Sequence, residues 1–403
     1  MYPWWMTASL PVAIAGAGPV GLTLALMLAR AGLAVEVYEM RTRPNQASRA
    51  STFHPPTLSI LDRLGVFAAM VPLAQRVDRI QYRIPGSVVG ELSFDLLAGL
   101  TDKPFRMHFE QTRLTELLLE QLARQPRARV HFDHQLHGVS ERADSVSINV
   151  QTPAGPASVS AAFLIGCDGA RSRVRDCIGA SFEGHHYPGM ALRIRTDRSV
   201  EALLAGLAPL TYLVDGANSA SFLRMPDCWR VILRVPSGVT EDECQSRTWF
   251  ESRLAPLIPA LSELPGVIGT DCYRAGRFVA STLMRGRVFL AGDSAHITNT
   301  RGGMNMNCGI HDAWVFGRAL IRTLADDAPA RSGTGIDPGR FPLLEAAAQA
   351  RQRVVVEKLL PRTDTMVSNP GGWLTHVRRM LAHEDDARRY LTEAAMLDMV
   401  EIE

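Results

Sequence analysis

The fold of this chain is decided by residues 286–317, which read GRVFLAGDSAHITNTRGGMNMNCGIHDAWVFG. An apolar strand is predicted at Val288 to Ala291, and it delivers Gly292 and Asp293 to its carboxyl end. A glycine-rich loop follows, and an apolar-periodic helix is predicted to begin near Asn307. This geometry suits a large anionic cofactor.

Three residues of the loop carry this interpretation. Asp293 can accept hydrogen bonds from sugar hydroxyls, while Gly302 and Gly303 let the backbone approach a flat ring. The N-terminus of the following helix would face developing negative charge. The same glycines would also suit a plain strand–loop–helix joint in which they only make turns, so other segments must support the cofactor site.

A second glycine-rich segment lies near the N-terminus. Residues 12–15 read as a buried strand, and Gly16, Gly18 and Gly21 follow in a GxGxxG pattern. A helix and a second strand come next, and Glu39 closes the unit 18 residues after Gly21. This distance is close to the spacing of about 20 residues typical of the acid that binds a ribose hydroxyl. The segment therefore predicts dinucleotide binding.

The rival interpretation of this region is a membrane span, since Thr7 to Ala29 carries no charge. Glycine and proline interrupt the run, and no basic segment precedes it, which argues against both a membrane span and a signal peptide. We therefore expect a soluble strand here and no transmembrane segment.

The composition agrees with a cytoplasmic enzyme of two or three domains. The 403 residues are 46% hydrophobic, which is ample for a sizeable core, and the net charge of +2 gives no reason to expect nucleic acid. The six cysteines form no CxxC, so we expect free thiols. No metal site is predicted, because His185 and His186 have no further ligands at a suitable spacing.

A third segment, residues 163–175, repeats the strand-to-acid-glycine pattern around Asp168. With the three segments beginning at Gly16, Asp168 and Gly292, the chain resembles the class A FAD-dependent aromatic monooxygenases, the p-hydroxybenzoate hydroxylase family. The resemblance spans most of residues 10–325, and three dispersed motifs in order are more specific than any one of them.

The resemblance implies which residues bind FAD. The three N-terminal glycines would hold the pyrophosphate, Glu39 the adenosine ribose, and Asp293 the ribityl and phosphate portion. Arg49 would reach the flavin side, Gln111 would contact the cofactor, and Asp168 would take part in nucleotide binding. The full set of cofactor-binding residues implied in this way is Gly16, Gly18, Gly21, Glu39, Arg49, Gln111, Asp168, Asp293, Gly303 and Asn307.

The chain departs from the family pattern in the second loop. Thr300 stands where a proline is common, and Asn305 replaces a glycine. Since Asn best tolerates a left-handed conformation among non-glycine residues, we expect the loop to keep its shape. Thr300, Gly302 and Gly303 are the candidates nearest the reactive part of the ring. The loop is most similar to the branch that contains alkylquinolone and other heteroaromatic hydroxylases.

The resemblance also implies a reaction. NADH or NADPH reduces FAD, dioxygen gives a flavin hydroperoxide, and its terminal oxygen is transferred to an electron-rich aromatic small molecule. For the substrate we consider Tyr212, Phe222, Arg224 and Arg230, whose positions on a predicted sheet could face the ring, although ordinary sheet positions would look the same. No catalytic base is predicted, and a structural role in the loop is favoured for His296.

The predicted fold is α/β: a Rossmann-like FAD-binding domain interleaved with a mixed-sheet substrate domain, plus C-terminal helices. The strand-like segments of the mixed sheet are Arg79–Ile84, Ala191–Arg195, Leu210–Val214, Ala220–Arg224 and Trp229–Val235. We assign residues 7–75, 104–182 and 272–330 to the FAD-binding domain, 76–103 and 183–271 to the substrate domain, and 341–403 to the helical region. Residues 326–340 read as a linker.

Several alternatives stay open. The chain could be a flavin enzyme that inserts no oxygen, as in saturases or halogenases, although the absence of lysine before Lys103 argues against a halogenase. It could keep FAD without redox chemistry, receive electrons from a separate reductase, or form a homodimer. An apolar helical face at Trp373, Leu374, Val377 and Met380 could contact a membrane surface, but core packing is the favoured use of that face.

Overall fold

The computed structural model describes residues 10–47, 50–216, 218–326, 340–368 and 373–402. The strands in chain order are β1 (Val12–Ala15), β2 (Val35–Glu39), β3 (Thr52–Phe53), β4 (Gln75–Val77), β5 (Arg79–Ile84), β6 (Ser87–Ser93), β7 (Arg106–His108), β8 (Ala128–Phe132), β9 (Gln135–Glu141), β10 (Val146–Thr152), β11 (Gly155–Ala161), β12 (Phe163–Gly166), β13 (Phe182–His186), β14 (Met190–Thr196), β15 (Leu210–Asp215), β16 (Asn218–Arg224), β17 (Trp229–Val235), β18 (Val267–Tyr273), β19 (Gly276–Ala280), β20 (Met284–Arg285), β21 (Val288–Leu290) and β22 (His296–Ile297).

The helices are α1 (Pro19–Arg30), α2 (Pro55–Arg63), α3 (Phe67–Met70), α4 (Gln111–Leu122), α5 (Arg173–Cys177), α6 (Glu241–Gln245), α7 (Arg247–Leu254), α8 (Met304–Asp326), α9 (Pro342–Arg353), α10 (Leu360–Ser368), α11 (Trp373–Ala382) and α12 (Glu384–Ala394). A π-helical segment at Val354–Leu359 joins α9 to α10.

A six-stranded sheet in the order β20-β21-β12-β1-β2-β8 organises the cofactor side of the molecule. All of its pairings are parallel except β20 with β21. The four residues of β1 are all buried, as expected for a parallel strand covered on both faces. The carboxyl ends of β1, β12 and β21 meet at one edge, so the three motifs of the sequence converge there.

A seven-stranded sheet in the order β18-β14-β17-β16-β15-β5-β6 forms the second layer. It is antiparallel except where β15 pairs with β5. One face buries Phe222 and Trp229 in a core that also includes residues of α6 and α7. The opposite face carries Tyr212 and Arg230 toward a large cavity. The predicted α/β fold with an interleaved mixed sheet is confirmed.

The C-terminal helices of the predicted fold are present, from α9 to α12. On α11, Val377 and Met380 are buried and pack with residues of β5 and β6, so this helical face contributes to the core. Among the described residues, no single helix is long and apolar enough to cross a membrane; the pair Pro55–Arg63 and Phe67–Leu73 passes that test only jointly and is bent by 118°.

Candidate functional site

The site is a cavity of about 2340 Å³ between the edge of the parallel sheet and the polar face of the seven-stranded sheet. Pockets for one drug-sized ligand measure roughly 300–1,000 Å³, so this cavity can hold a dinucleotide together with a second molecule. Its walls include the three motif loops and the sheet residues Arg193, Tyr212 and Arg230.

The first motif forms an open cradle at the N-terminus of α1. Gly16 has φ +102°, and a Cβ atom there would lie 2.3 Å from the carbonyl oxygen of Cys167. Gly18, by contrast, is the N-cap of α1 with φ −79°, and a Cβ there would meet nothing within 4 Å. Within the described part of the chain no side chain caps α1, and Gly18, Pro19 and Val20 at its start line the cavity. This is the arrangement that receives a phosphate group.

Glu39 lies at the end of β2, where the sequence places the ribose acid. It is 8% exposed and lines the cavity. Its Oε2 accepts a hydrogen bond from Ala17 N at 2.9 Å, and its Oε1 accepts one from Arg41 N at 3.0 Å. Arg41 Nη1 also lies 3.4 Å from Oε1. The carboxylate thus fixes the glycine loop, and Oε2 keeps a second acceptor position for a ligand hydroxyl.

Asp168 also lines the cavity, but its side chain is engaged by the protein. It accepts hydrogen bonds from Ser172 Oγ at 2.6 Å, from Arg173 N at 2.7 Å and from Val174 N at 3.1 Å. These contacts satisfy N–H groups at the start of α5. Burial raises the pKa of Asp168. The side chain therefore organises the turn that follows β12.

In the second loop, Asp293 sits in a 3-10 turn directly after β21, half-buried at the cavity wall. Asn305 Nδ2 donates to Asp293 Oδ1 at 2.8 Å. Asn305 does not use its tolerance for a left-handed conformation, because it lies in the first turn of α8. Gly302 and Gly303, with φ of +73° and +65°, make the left-handed turn instead.

Asn307 ties this loop to the rest of the site. Its Nδ2 donates to Thr52 O at 2.8 Å and to Gly303 O at 2.7 Å, and its Oδ1 accepts from His54 N at 3.0 Å. The residue is completely buried. The helix predicted to begin near Asn307 begins earlier, at Met304, so the Asn307 side chain clamps the helix to the preceding loop.

The remaining cofactor candidates lie around the same loop. Thr300 is exposed at the cavity wall, with its Oγ1 3.4 Å from Tyr273 Oη. Gln111, the first residue of α4, lines the cavity, and its Oε1 accepts from Ala50 N at 3.3 Å. Arg49 lies outside the described residues.

Of the four substrate candidates, Tyr212 and Arg230 line the cavity, and Arg230 forms an ion pair with Glu110. The placement of Phe222 and Arg224 toward the cavity is wrong. Phe222 is fully buried in the opposite core, and Arg224 pairs with Glu201 at 3.9 Å outside the cavity wall. Because side chains alternate along a strand, β16 presents its odd-numbered residues, such as Ser221, to the cavity.

A buried ionic network behind the second loop was not found from the sequence. Asp312 accepts from Arg351 Nε at 2.7 Å and from Gly292 N at 3.0 Å, and its Oδ2 lies 2.8 Å from His296 Nε2. His296 is fully buried, in agreement with a structural role in the loop. Within the described residues, His296, Cys308 and Asp312 are close enough to share a cation, but Arg351 already neutralises the carboxylate. In the sequence, this network is indicated only by Asp312, an acidic residue within the apolar-periodic helix.

These residues fit a bound FAD. The open space over Gly18, the uncapped start of α1 and the cavity volume together accept a dinucleotide phosphate and its flat ring. Residues 9–335 match the family described as FAD binding domain, and the chain belongs to this family. It is a flavin-dependent monooxygenase of the aromatic hydroxylase type.

Several relatives are similar over most of the chain. The para-nitrophenol 4-monooxygenase of Pseudomonas sp. (strain WBC-3) is 30% identical over 336 residues, covering 80% of this chain and 80% of that protein. The 6-hydroxy-3-succinoylpyridine 3-monooxygenase of Pseudomonas putida (strain DSM 28022 / S16) is 28% identical, covering 89% and 88%. The crystal structure of p-nitrophenol 4-monooxygenase from Pseudomonas putida DLL-E4 superposes with a TM-score of 0.86 at 26% identity, covering 97% and 98%.

Proposed function

We propose that this enzyme uses NADH or NADPH and dioxygen to hydroxylate an aromatic or heteroaromatic small molecule. One observation carries the proposal: the cofactor cradle and the polar face of the seven-stranded sheet line the same cavity. A flat substrate bound on the sheet would therefore lie next to the flavin loop. Relatives named for oxidation of a nitrophenol and of a hydroxypyridine support this substrate class.

The roles of the cofactor residues follow from their positions. Gly18 and the first N–H groups of α1 would hold the pyrophosphate, and Glu39 would accept a hydrogen bond from the adenosine ribose. Asp293 would accept hydrogen bonds from the ribityl chain, while Gly302 and Gly303 would lie against the ring. We place Gln111 on the flavin side and Asp168 near the nucleotide.

The protein's part in the reaction is to position the substrate, exclude water and stabilise charge on the cofactor. FAD, when bound, would supply the redox and oxygen-transfer chemistry. The N-terminus of α8 begins directly after the Gly302–Gly303 turn, and its dipole would favour negative charge at that point. Asn307 keeps this helix start in place through its bonds to Thr52 and Gly303.

Turnover of FAD-loaded protein tests this function. We expect one or more aromatic compounds from a panel to accelerate oxidation of NADH or NADPH, with product mass increased by one oxygen. Labelled dioxygen should place its isotope in that product. Acceleration without oxygen in the product would instead identify a flavin enzyme that does not insert oxygen, and no acceleration by any tight-binding compound would support an FAD protein without redox chemistry.

Replacing Asp293 by Ala should weaken FAD binding by about 10- to 150-fold, because hydrogen bonds to a charged acceptor contribute about 1.5–3 kcal/mol. The fold should remain, since Asp293 is only half-buried. FAD affinity, measured by fluorescence titration of apoprotein, checks the first expectation, and circular dichroism checks the second. Asp144→Ala is a matched control, because Asp144 is exposed and outside the cavity wall. Wild-type FAD affinity in Asp293→Ala would contradict the assigned role.

A further inference from the structure

The guanidinium of Arg106 is buried at the cavity wall, and no acidic side chain among the described residues pairs with it. Arg106 is 2% exposed, lies on β7 and contributes to the cavity wall. Its Nη2 donates to Ala394 O at 2.6 Å, and it also hydrogen-bonds Tyr212. Its Nε has no hydrogen-bond partner, and among the described residues no carboxylate pairs with it.

Three other buried arginines have acidic partners. Arg193 makes two hydrogen bonds to Asp271, at 2.9 Å and 2.8 Å. Arg230 pairs with Glu110, and Arg351 pairs with Asp312. A buried charge is costly unless an opposite charge neutralises it. Arg83 and Arg175 are also buried and hydrogen-bond only to neutral groups, but neither lines the cavity, whereas Arg106 does.

The surroundings of Arg106 are aromatic and uncharged. Three tyrosines carry their hydroxyl groups into its neighbourhood, and Tyr82 Oη donates to Tyr390 Oη at 3.1 Å. The rings of Tyr82 and Tyr212 lie 6.0 Å apart, and the Phe94 ring centre lies 5.0 Å from Arg106 Cζ. These groups can surround an aromatic ring and donate hydrogen bonds, but they supply no negative charge.

The two histidines that interact electrostatically with Arg106 add no second positive charge. Burial is the main cause that lowers the pKa of His54 and of His108, the latter to about 4, and the positive charge of Arg106 lowers both further. Both imidazoles are therefore neutral at physiological pH. Burial likewise raises the pKa of Tyr82 and Tyr212, so these phenols stay protonated.

We propose that Arg106, together with the hydroxyl group of Tyr212, binds an ionised oxygen of the substrate, so that the enzyme selects aromatic anions. This inference rests on the proposed function and names its substrate class. A phenolate or a carboxylate would supply the missing negative charge, and the surrounding aromatic side chains would hold the ring that bears it. Arg106 would then be a specificity-determining residue at the part of the cavity wall that Tyr82, Tyr212 and Tyr390 also form.

Calorimetric titration of FAD-loaded protein tests the proposal without turnover. The probes are 4-nitrophenol at a pH where it is ionised, 4-nitrobenzoate, and the neutral isostere 4-nitroanisole. We expect at least one anion to bind wild type about tenfold or more tightly than the isostere. Arg106→Met should abolish that preference. The affinity for the anion should fall at least about tenfold, and the affinity for the isostere should change little. Which anion responds distinguishes a phenolate site from a carboxylate site.

Two further variants keep the test decisive. Tyr212→Phe retains the buried cation and the ring, so it should fold even if Arg106→Met does not. It should lower the affinity for the anion several-fold and leave the affinity for the isostere unchanged. Arg113→Met is the matched control, because Arg113 is exposed on α4 and pairs only locally with Glu116 at 2.8 Å. Equal affinity of wild type for anions and isostere, no binding of either anion, or unchanged anion affinity in Arg106→Met would overturn the proposal.

The result also separates this site from the proposed reaction. Binding of anions through Arg106 without any oxygenated product would withdraw hydroxylation and leave the anion site standing. Hydroxylation of neutral aromatics, unaffected by Arg106→Met, would withdraw the anion site and leave hydroxylation standing.

Discussion

Replacing Asp312 by Asn should lower the free energy of unfolding by about 3–5 kcal/mol, as is typical when one partner is removed from a buried ion pair. The carboxylate is fully buried between Arg351 and His296, and it also accepts from Gly292 N. The amide would leave two cationic groups without their counter-charge. Chemical denaturation of the apoprotein measures the loss, with the exposed Asp144→Asn as control.

The same network gives stability a dependence on pH with a defined sign. Burial alone would raise the pKa of Asp312, but the charges of Arg351 and His296 outweigh it and lower this pKa to about 2. Stability from Asp312 is therefore present above about pH 4 and lost as the pH falls toward 2. His296 has a raised pKa, against burial, chiefly because Asp312 is adjacent. Its contribution is present below about pH 6.5 and lost as the pH rises through the folded-state pKa.

As the pH is lowered through the acid range, the stability of the Asp312→Asn variant should fall less steeply than that of wild type, since the group that titrates there is gone. Denaturation midpoints across the acid range measure this pH dependence of stability. Two outcomes would show that the network does not hold the second loop: a variant less than about 1 kcal/mol less stable than wild type at neutral pH, or an unchanged pH dependence of stability in the acid range.

Gly16→Ala should destabilise the apoprotein by about 3 kcal/mol, whereas Gly18→Ala should leave it within about 1 kcal/mol of wild type. At Gly16 the new methyl group meets the carbonyl oxygen of Cys167 at 2.3 Å, and the backbone has φ +102°. At Gly18 the backbone is extended and the methyl group points into open space. That space is where we place the pyrophosphate, so Gly18→Ala should weaken FAD binding about tenfold or more.

Apoprotein unfolding and FAD titration are measured side by side on these two variants. The pair separates damage to the fold from damage to the cradle, because the two glycines are neighbours in one loop. A Gly18→Ala protein that is stable and binds FAD normally would place the pyrophosphate elsewhere. A Gly16→Ala protein as stable as wild type would contradict the close approach of Gly16 to Cys167.

Much of the cofactor side could be predicted from the sequence because its signals are local. The strand at residues 12–15 is found where the apolar run places it, and the three motifs meet at one sheet edge because parallel strands bring their carboxyl ends together. The strands Arg79–Ile84 and Trp229–Val235 also match their predicted bounds. In each case neighbouring residues supply the whole pattern.

The sheet face of the site could not be predicted in the same way. Phe222 and Arg224 belong to a predicted strand, but which face of that strand meets the cavity depends on the packing of distant segments. Asn305 stands where the family pattern has a glycine, but the helix extends back to Met304 and includes Asn305, so this residue needs no left-handed conformation.

Two charged residues were missed for a related reason. Arg106 stands between Phe105 and Met107 at the start of a short strand, and Asp312 stands in the apolar-periodic helix α8. A charge in an apolar segment indicates a buried polar contact, but its partners lie far away in sequence: Ala394 for Arg106, and Arg351 for Asp312. Only the fold brings them together.

The chain passes four times between the two large sheets before it reaches β21, and this order has a consequence for biogenesis. Contacts between distant segments form slowly, because the loops that join them must close first. The cradle is complete only when residues from Gly16 to Gly303 have assembled. Cofactor uptake should then come late in folding, and supply of riboflavin-derived nucleotide in the cell would set the yield of mature protein by mass action.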